Sequence, residues 1–139
     1  MKFFALDIGD VWTGTAISDA LGMFARPYKT IETNNLESFL TDILKAEPIS
    51  TIVVGHPTTL RGTKSKQTEK VEALTEQLKL LMPAVTWVFW DESFSSQQAQ
   101  ELKPSKSKED KRHSHSIAAA YILSSFLNHR NPIPIEDML

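Results

Sequence analysis

Residues 50–55, STIVVG, form a continuous β-branched run with no polar alternation. A strand apolar on both faces must be covered on both faces, which is the condition of a central parallel strand in a layered α/β domain. An amphipathic helical pattern precedes this run and another follows it. Leu36, Phe39, Leu40, Ile43 and Leu44 recur at the spacing of one helix face, with Asn34 or Asn35 as N-cap and Pro48 as terminator. A second helix is expected over about 65–82, with Val71, Leu74, Leu78 and Leu81 on one face and Pro83 beyond it.

The rest of the chain fits around this unit. Residues 2–8 (KFFALDI) predict a buried strand, 12–18 (WTGTAIS) a second, and 22–31 a third, which Pro27 assigns to an edge. Their short links make them an antiparallel meander. Residues 85–90 (VTWVFW) predict a fifth strand, followed by a short helix near 94–102 and a last helix over about 112–129. The order βββαβαβ with closing helices implies an α/β fold with a mixed five-stranded sheet: three antiparallel strands, then two parallel ones, with helices on both faces. At 139 residues, with no linker or internal repeat, the whole chain 1–139 is expected to be one domain.

Composition excludes several classes. There is no cysteine, so neither a disulfide framework nor a thiolate metal site can form. MKFFALDIGD is too short and too acidic for a signal peptide, and no apolar run reaches the roughly 20 residues of a membrane span. A cytoplasmic protein without membrane association is expected. The net charge is −2, but the basic residues are clustered. Residues 61–70 hold Arg61, Lys64, Lys66 and Lys70 against Glu69; residues 103–112 include Lys111 and Arg112 and carry a net +3. Both segments read as exposed loops. Arg61, Lys64, Lys66, Lys111 and Arg112 are candidates for binding phosphate, against the alternative of ordinary solvated loops.

Acidic residues end two of the expected strands: Asp7 on the first, Asp91 and Glu92 on the fifth. Carboxyl ends of parallel strands gather along one sheet edge, where sites usually form. Clustered carboxylates need a cation or hydrogen bonds, and a hard divalent cation can bind them and phosphate together. Strand-ending turns also favour Asp and Glu for structural reasons alone. The context of these acids carries a resemblance. Residues 5–19, ALDIGDVWTGTAISD, look like the opening hairpin of the YqgF (RuvX) family, with Asp7, Gly9 and Gly14 in place. Residues 52–63 match that family's next strand and loop at Val54, Gly55, Pro57, Gly62 and Thr63; residues 91–102 resemble its Asp-Glu-Arg element; residues 115–127 resemble its final helix.

The resemblance implies a ribonuclease H-like fold and a metal-dependent nuclease site. Asp7 and Glu92 would be ligands for Mg²⁺ or Mn²⁺, with metal-activated water as nucleophile. The implied partner is nucleic acid, either precursor ribosomal RNA or branched DNA, and the chain would act as a monomer or weak homodimer. His115 stands where the family's third acid stands, so the implied catalytic and metal set is Asp7, Glu92 and His115. An imidazole is a poorer partner for Mg²⁺ than a carboxylate, and a softer ion such as Mn²⁺ tolerates it better. His115 is therefore either an altered ligand or the mark of a lost site. It is expected in the first turn of the last helix, above Ala119, Ile122 and Phe126.

Other departures point the same two ways. Ser93 replaces an arginine, and Val11 and Trp12 replace Lys and Arg. Trp12 either stacks on a base or packs as an ordinary aromatic. His56 and His113 complete the candidates; His113 and His115 do not share a helix face. A binding or ribosome-maturation module of the same fold is the second reading. A sugar-kinase-like nucleotide binder, suggested by Asp7-Ile8-Gly9 with Gly14, is the third, but one domain provides only half of such a site.

Overall fold

The computed structural model describes residues 1–57, 65–91 and 108–130, with side chains in the last stretch from 114 onward. The expected helix near 94–102, Arg61, Lys64, Glu92, Ser93 and the side chains of Lys111, Arg112 and His113 lie outside the described residues. The elements are β1 (Lys2–Ile8), β2 (Trp12–Ser18), β3 (Ala25–Glu32), α1 (Leu36–Ala46), β4 (Ile49–His56), α2 (Lys66–Leu81), β5 (Thr86–Asp91) and α3 (Lys108–Arg130). The sheet order is β3-β2-β1-β4-β5. β1 pairs antiparallel with β2 and parallel with β4, and β4 pairs parallel with β5. This is the mixed five-stranded sheet the pattern predicts.

Strand alternation divides β1 between two cores. Phe4, Leu6 and Ile8 pack with Leu36, Leu40 and Ile43 of α1 and with Val71 and Leu78 of α2. Phe3 and Ala5 point the other way, against Ala119, Ile122, Leu123 and Leu127 of α3. Burying each large side chain contributes about 1.5–3 kcal/mol, so each layer clamps the sheet from its own side. By the same alternation Asp7 follows Phe3 and Ala5 and faces α3.

α3 runs back along β1. His115 lies beside Asp7 at the carboxyl end of that strand, and the Arg130 guanidinium lies over the Phe3 ring, 4.4 Å from its centroid, near the amino end. Pro27 does sit on an edge strand, at an irregularity in the β2–β3 register. The connection between those strands is tied by Asp19, whose Oδ1 accepts from the backbone of Phe24 at 2.8 Å and of Met23 at 2.9 Å. Gly22 takes a left-handed conformation there, with φ 68°.

Two helix starts and one loop assignment differ from expectation, while α2 keeps the expected bounds of about 65–82. A 3₁₀ turn over Thr33–Asn35 precedes α1, and Asn35, although at the N-cap position, makes no side-chain cap hydrogen bond. Lys66 and Lys70 are not in a loop but in the opening turns of α2, whose N-terminus is capped by Ser65 Oγ accepting from Thr68 N at 3.2 Å. α3 starts at Lys108, not 112. Lys108 to Arg112 are charged residues, mostly good helix formers, with no apolar periodicity to reveal the extra turn. His115 therefore sits about two turns into the helix. Among the described residues no helix is long and apolar enough to cross a membrane.

Candidate active site

The candidate site begins with a backbone held by its neighbours on both sides. Asp7 lies on a strand paired on both sides, opposite Gly14 of β2, and its neighbour Leu6 pairs with Val54 of β4. The hairpin tip beyond it is closed by Gly9 N donating to Trp12 O at 2.9 Å. Thr33 Oγ1 donates to Gly9 O at 2.7 Å, which ties the tip to the start of α1. The Asp7 carboxylate is thus held at the carboxyl edge of the sheet, with its side chain 15 % exposed.

α3 brings the second group. His115 Nδ1 lies 3.4 Å from Asp7 Oδ2. This closeness depends on Gly14. A Cβ on Gly14 would overlap the carbonyl of His115 and the amide nitrogen of Ser116, so only glycine lets the helix backbone rest on β2 at this point. Ala16, Ala118 and Ala119 are buried and small on the same interface. The family-like glycine is therefore explained by a helix–strand contact, and that contact delivers the imidazole. Gly9 is required by the hairpin tip itself, where a Cβ would stand 2.6 Å from Trp12 O; its contact with the imidazole, 3.5 Å from that Cβ to His115 Cε1, would be an ordinary one.

The pair offers one carboxylate oxygen and one imidazole nitrogen. Two donor atoms 3.4 Å apart could both reach a cation at bond lengths of about 2.0–2.2 Å. The donors suit a divalent ion that accepts nitrogen as well as oxygen. Among the described residues no group of three or more potential ligands is assembled; Glu92, the implied third ligand, lies outside them.

The other sequence candidates fall elsewhere on the same edge. Trp90 packs edge-on against Phe126 of α3 at 5.5 Å, so Asp91, the next residue, faces the opposite side from Asp7. Asp91 registers with His56. His56 packs against the Phe89 ring at 5.1 Å and approaches Glu72 Oε1 of α2 at 3.5 Å. This is a separate cluster on the α2 face, and no motif in the sequence announces it because Glu72 lies mid-helix. Lys66 is exposed at the start of α2. The helix start is docked on the first hairpin through Gln67 Nε2 donating to Ile8 O at 3.1 Å and Lys70 Nζ near Asp10 Oδ1 at 3.4 Å. Lys66 therefore belongs to the same carboxyl edge as Asp7. Lys70 is partly neutralised by Asp10, an exposed pair of the kind that contributes about 0–1 kcal/mol.

Known proteins resemble this chain in sequence and in fold. Residues 1–129 match the family model described as "RuvX: Holliday junction resolvase". The chain is 32% identical over 124 residues to a protein of Rubrobacter xylanophilus named "Putative pre-16S rRNA nuclease", covering 88% of this chain and 89% of that one. A protein of the same name from Fusobacterium nucleatum is 34% identical over 133 residues, covering 91% and 96%. Among solved structures, T. thermophilus RuvC in complex with a Holliday junction superposes with TM-score 0.61 at 15% identity, covering 95% of this chain and 97% of that one. Fowlpox virus resolvase bound to Holliday junction DNA superposes with TM-score 0.58 at 12% identity, covering 94% and 99%. At those identities the structural likeness speaks for the fold, which is the ribonuclease H-like one. The family match spans nearly the whole chain, and the chain belongs to the RuvX family.

Proposed function

We propose that this protein is a divalent-metal-dependent nuclease acting on structured nucleic acid, at the 5′ end of precursor 16S rRNA or at branched DNA. One observation carries the reading: in a RuvX chain, Asp7 and His115 converge to 3.4 Å at the carboxyl edge of the sheet. The ligand set is Asp7, His115 and Glu92. In support, Glu92 stands in the Asp91-Glu92 pair that resembles the family's Asp-Glu-Arg element. A bound Mg²⁺ or Mn²⁺ supplies Lewis acidity and neutralises charge at the phosphate.

The chain's own residues do the positioning. Asp7 is fixed by its pairing with Gly14 and by that of its neighbour Leu6 with Val54, and the seating of α3 on β2 at Gly14 holds the His115 ring beside it. Lys66, with Arg61, Lys64, Lys111 and Arg112, supplies positive charge for the phosphate backbone, which sets register without reading sequence. Reading the chain as a cytoplasmic monomer or weak homodimer suits this role. The second reading, a nucleic-acid-binding maturation factor without cleavage, is favoured by the imidazole in place of a carboxylate and by Val11 and Trp12 in place of cations.

The test is cleavage of a labelled four-way junction and a precursor rRNA fragment in EDTA, Mg²⁺ and Mn²⁺. Metal-dependent cutting that is lost in Asp7→Asn supports the nuclease. Tight binding with no cutting in any metal favours the maturation factor.

A further inference from the structure

At the end of edge strand β3 lies an open groove of about 580 Å³, lined among others by Trp12, Thr30, Glu32, Asn35, Phe39 and Asp42. Its volume falls within the roughly 300–1,000 Å³ usual for small-ligand sites. We propose that this groove is a subsite for one unpaired nucleobase of the substrate, stacked on Trp12 and held at its Watson–Crick edge by Asp42, Glu32 and Asn35. The proposal rests on the nucleic-acid reading above and adds a subsite to it.

Position is the first argument. Trp12 pairs with Glu32 at the start of β2 and lies two residues before Gly14, on the face where α3 and Asp7 lie. Its carbonyl is bonded to Gly9 N at 2.9 Å, and the Cβ direction of Gly9 points to within 3.5 Å of His115 Cε1. The indole therefore flanks the candidate catalytic edge. From there the groove passes over the free edge of β3 to Phe39, which packs on the opposite core through Phe4 at 6.2 Å. A single strand leaving the Asp7–His115 edge would meet Trp12 first and the groove behind it.

Chemistry is the second argument. Half-buried Trp12 and Phe39 bring aromatic surface to the groove, and single-stranded bases stack on aromatic side chains without needing a fixed sequence. The polar lining consists of two carboxylates, an amide and hydroxyls, with no cation among the lining residues. Such a lining repels phosphate but accepts hydrogen bonds from the exocyclic amino groups of adenine, cytosine or guanine, which uracil and thymine lack. The phosphates would stay on the rim, where Lys29, exposed one residue before Thr30, offers a charge. The same lining could take a cationic peptide. The nucleobase is favoured because the groove adjoins the nuclease edge and because the family's two cations are replaced here by Val11 and an aromatic.

The experiment is fluorescence anisotropy of labelled eight-residue RNA single strands in EDTA, where no strand is cut. Oligo-A, oligo-C, oligo-U and an abasic strand are compared on wild type, Trp12→Ala, Trp12→Phe and Asp42→Asn. The expected result is tighter wild-type binding of oligo-A and oligo-C than of oligo-U or the abasic strand. Trp12→Ala should weaken oligo-A binding about tenfold, a size typical of one stacked base. Trp12→Phe should keep most of it, and Asp42→Asn should reduce the preference over oligo-U. Trp12→Ala binding as tightly as wild type overturns the subsite and leaves the nuclease reading standing. An arginine-rich peptide that shifts tryptophan fluorescence in wild type but not in Trp12→Ala, where oligonucleotides do not, also overturns it. A wild type that binds neither these strands nor structured RNA removes both readings.

Discussion

Two residues of the candidate site, Gly14 and Asp7, and one outside it, Asp19, each make a distinct prediction. Gly14 faces the α3 backbone with no room for a Cβ. Gly14→Ala should therefore destabilise the fold by at least the upper part of the roughly 1–3 kcal/mol that overpacking costs, because neither backbone can rotate away. Urea denaturation measures this, and an unchanged midpoint would show that α3 is not seated on β2. Asp7→Asn should leave the fold near wild-type stability by the same assay, since its strand pairings are unchanged, while removing activity. Asp19 gives a pH prediction outside the site. The backbone N–H of Phe24, and then that of Met23, hold its carboxyl below the ordinary value of 3.8, against the opposing effect of desolvation. A depressed folded value means that the carboxylate's contribution is fully present above pH 3.8 and is lost as pH falls through the lowered value. Amide exchange at Phe24, followed by NMR down an acid series, should show the turn loosening only below that point; loosening near pH 6 would contradict the assignment.

β1 and α3 deliver the site and α2 docks beside it, and these elements were not equally legible. α2 is capped at Ser65, and Ser65→Ala should cost about 1 kcal/mol by thermal or urea unfolding. If the cost is nil, the cap is not what fixes this helix start. Ile122→Ala, a fully buried change in the α3 layer, should cost about 2–5 kcal/mol and loosen His115 with it. The β-branched run of β4, the apolar faces of α1 and α2 and the edge proline of β3 were readable because buried periodicity and proline chemistry are local signals. The opening turn of α3 was not, since Lys108 to Arg112 carry no apolar pattern. Asp7 and His115 stood out as candidates through family-like motifs, but their 3.4 Å approach depends on a helix crossing a strand 101 positions away in sequence, at Gly14. The His56–Glu72 cluster and the Trp12 groove join residues from several elements, so no single stretch of sequence displays them.

At the scale of the whole molecule, a net charge of −2 sits on a protein read as a nucleic-acid enzyme, and the resolution lies in distribution. The positive candidates cluster in two sequence segments, and Lys66 places one of them at the edge that bears Asp7. Binding to single-stranded RNA should weaken with salt, with a log–log slope of about −0.7 per phosphate neutralised. Lys66→Ala should make that slope shallower by about 0.7, and an unchanged slope would remove Lys66 from the interface. The function proposed above puts the His115 imidazole in a carboxylate's place in a working metal centre. The most direct measurement is the cleavage rate of a four-way junction and a precursor rRNA in Mg²⁺ and in Mn²⁺, for wild type, Asp7→Asn and His115→Asp. The account predicts that wild type cuts better in Mn²⁺ than in Mg²⁺, that His115→Asp shifts the preference toward Mg²⁺, and that Asp7→Asn cuts in neither. A wild type inert in both metals beside an active His115→Asp would contradict it, and the chain would then be a nuclease scaffold with its centre switched off.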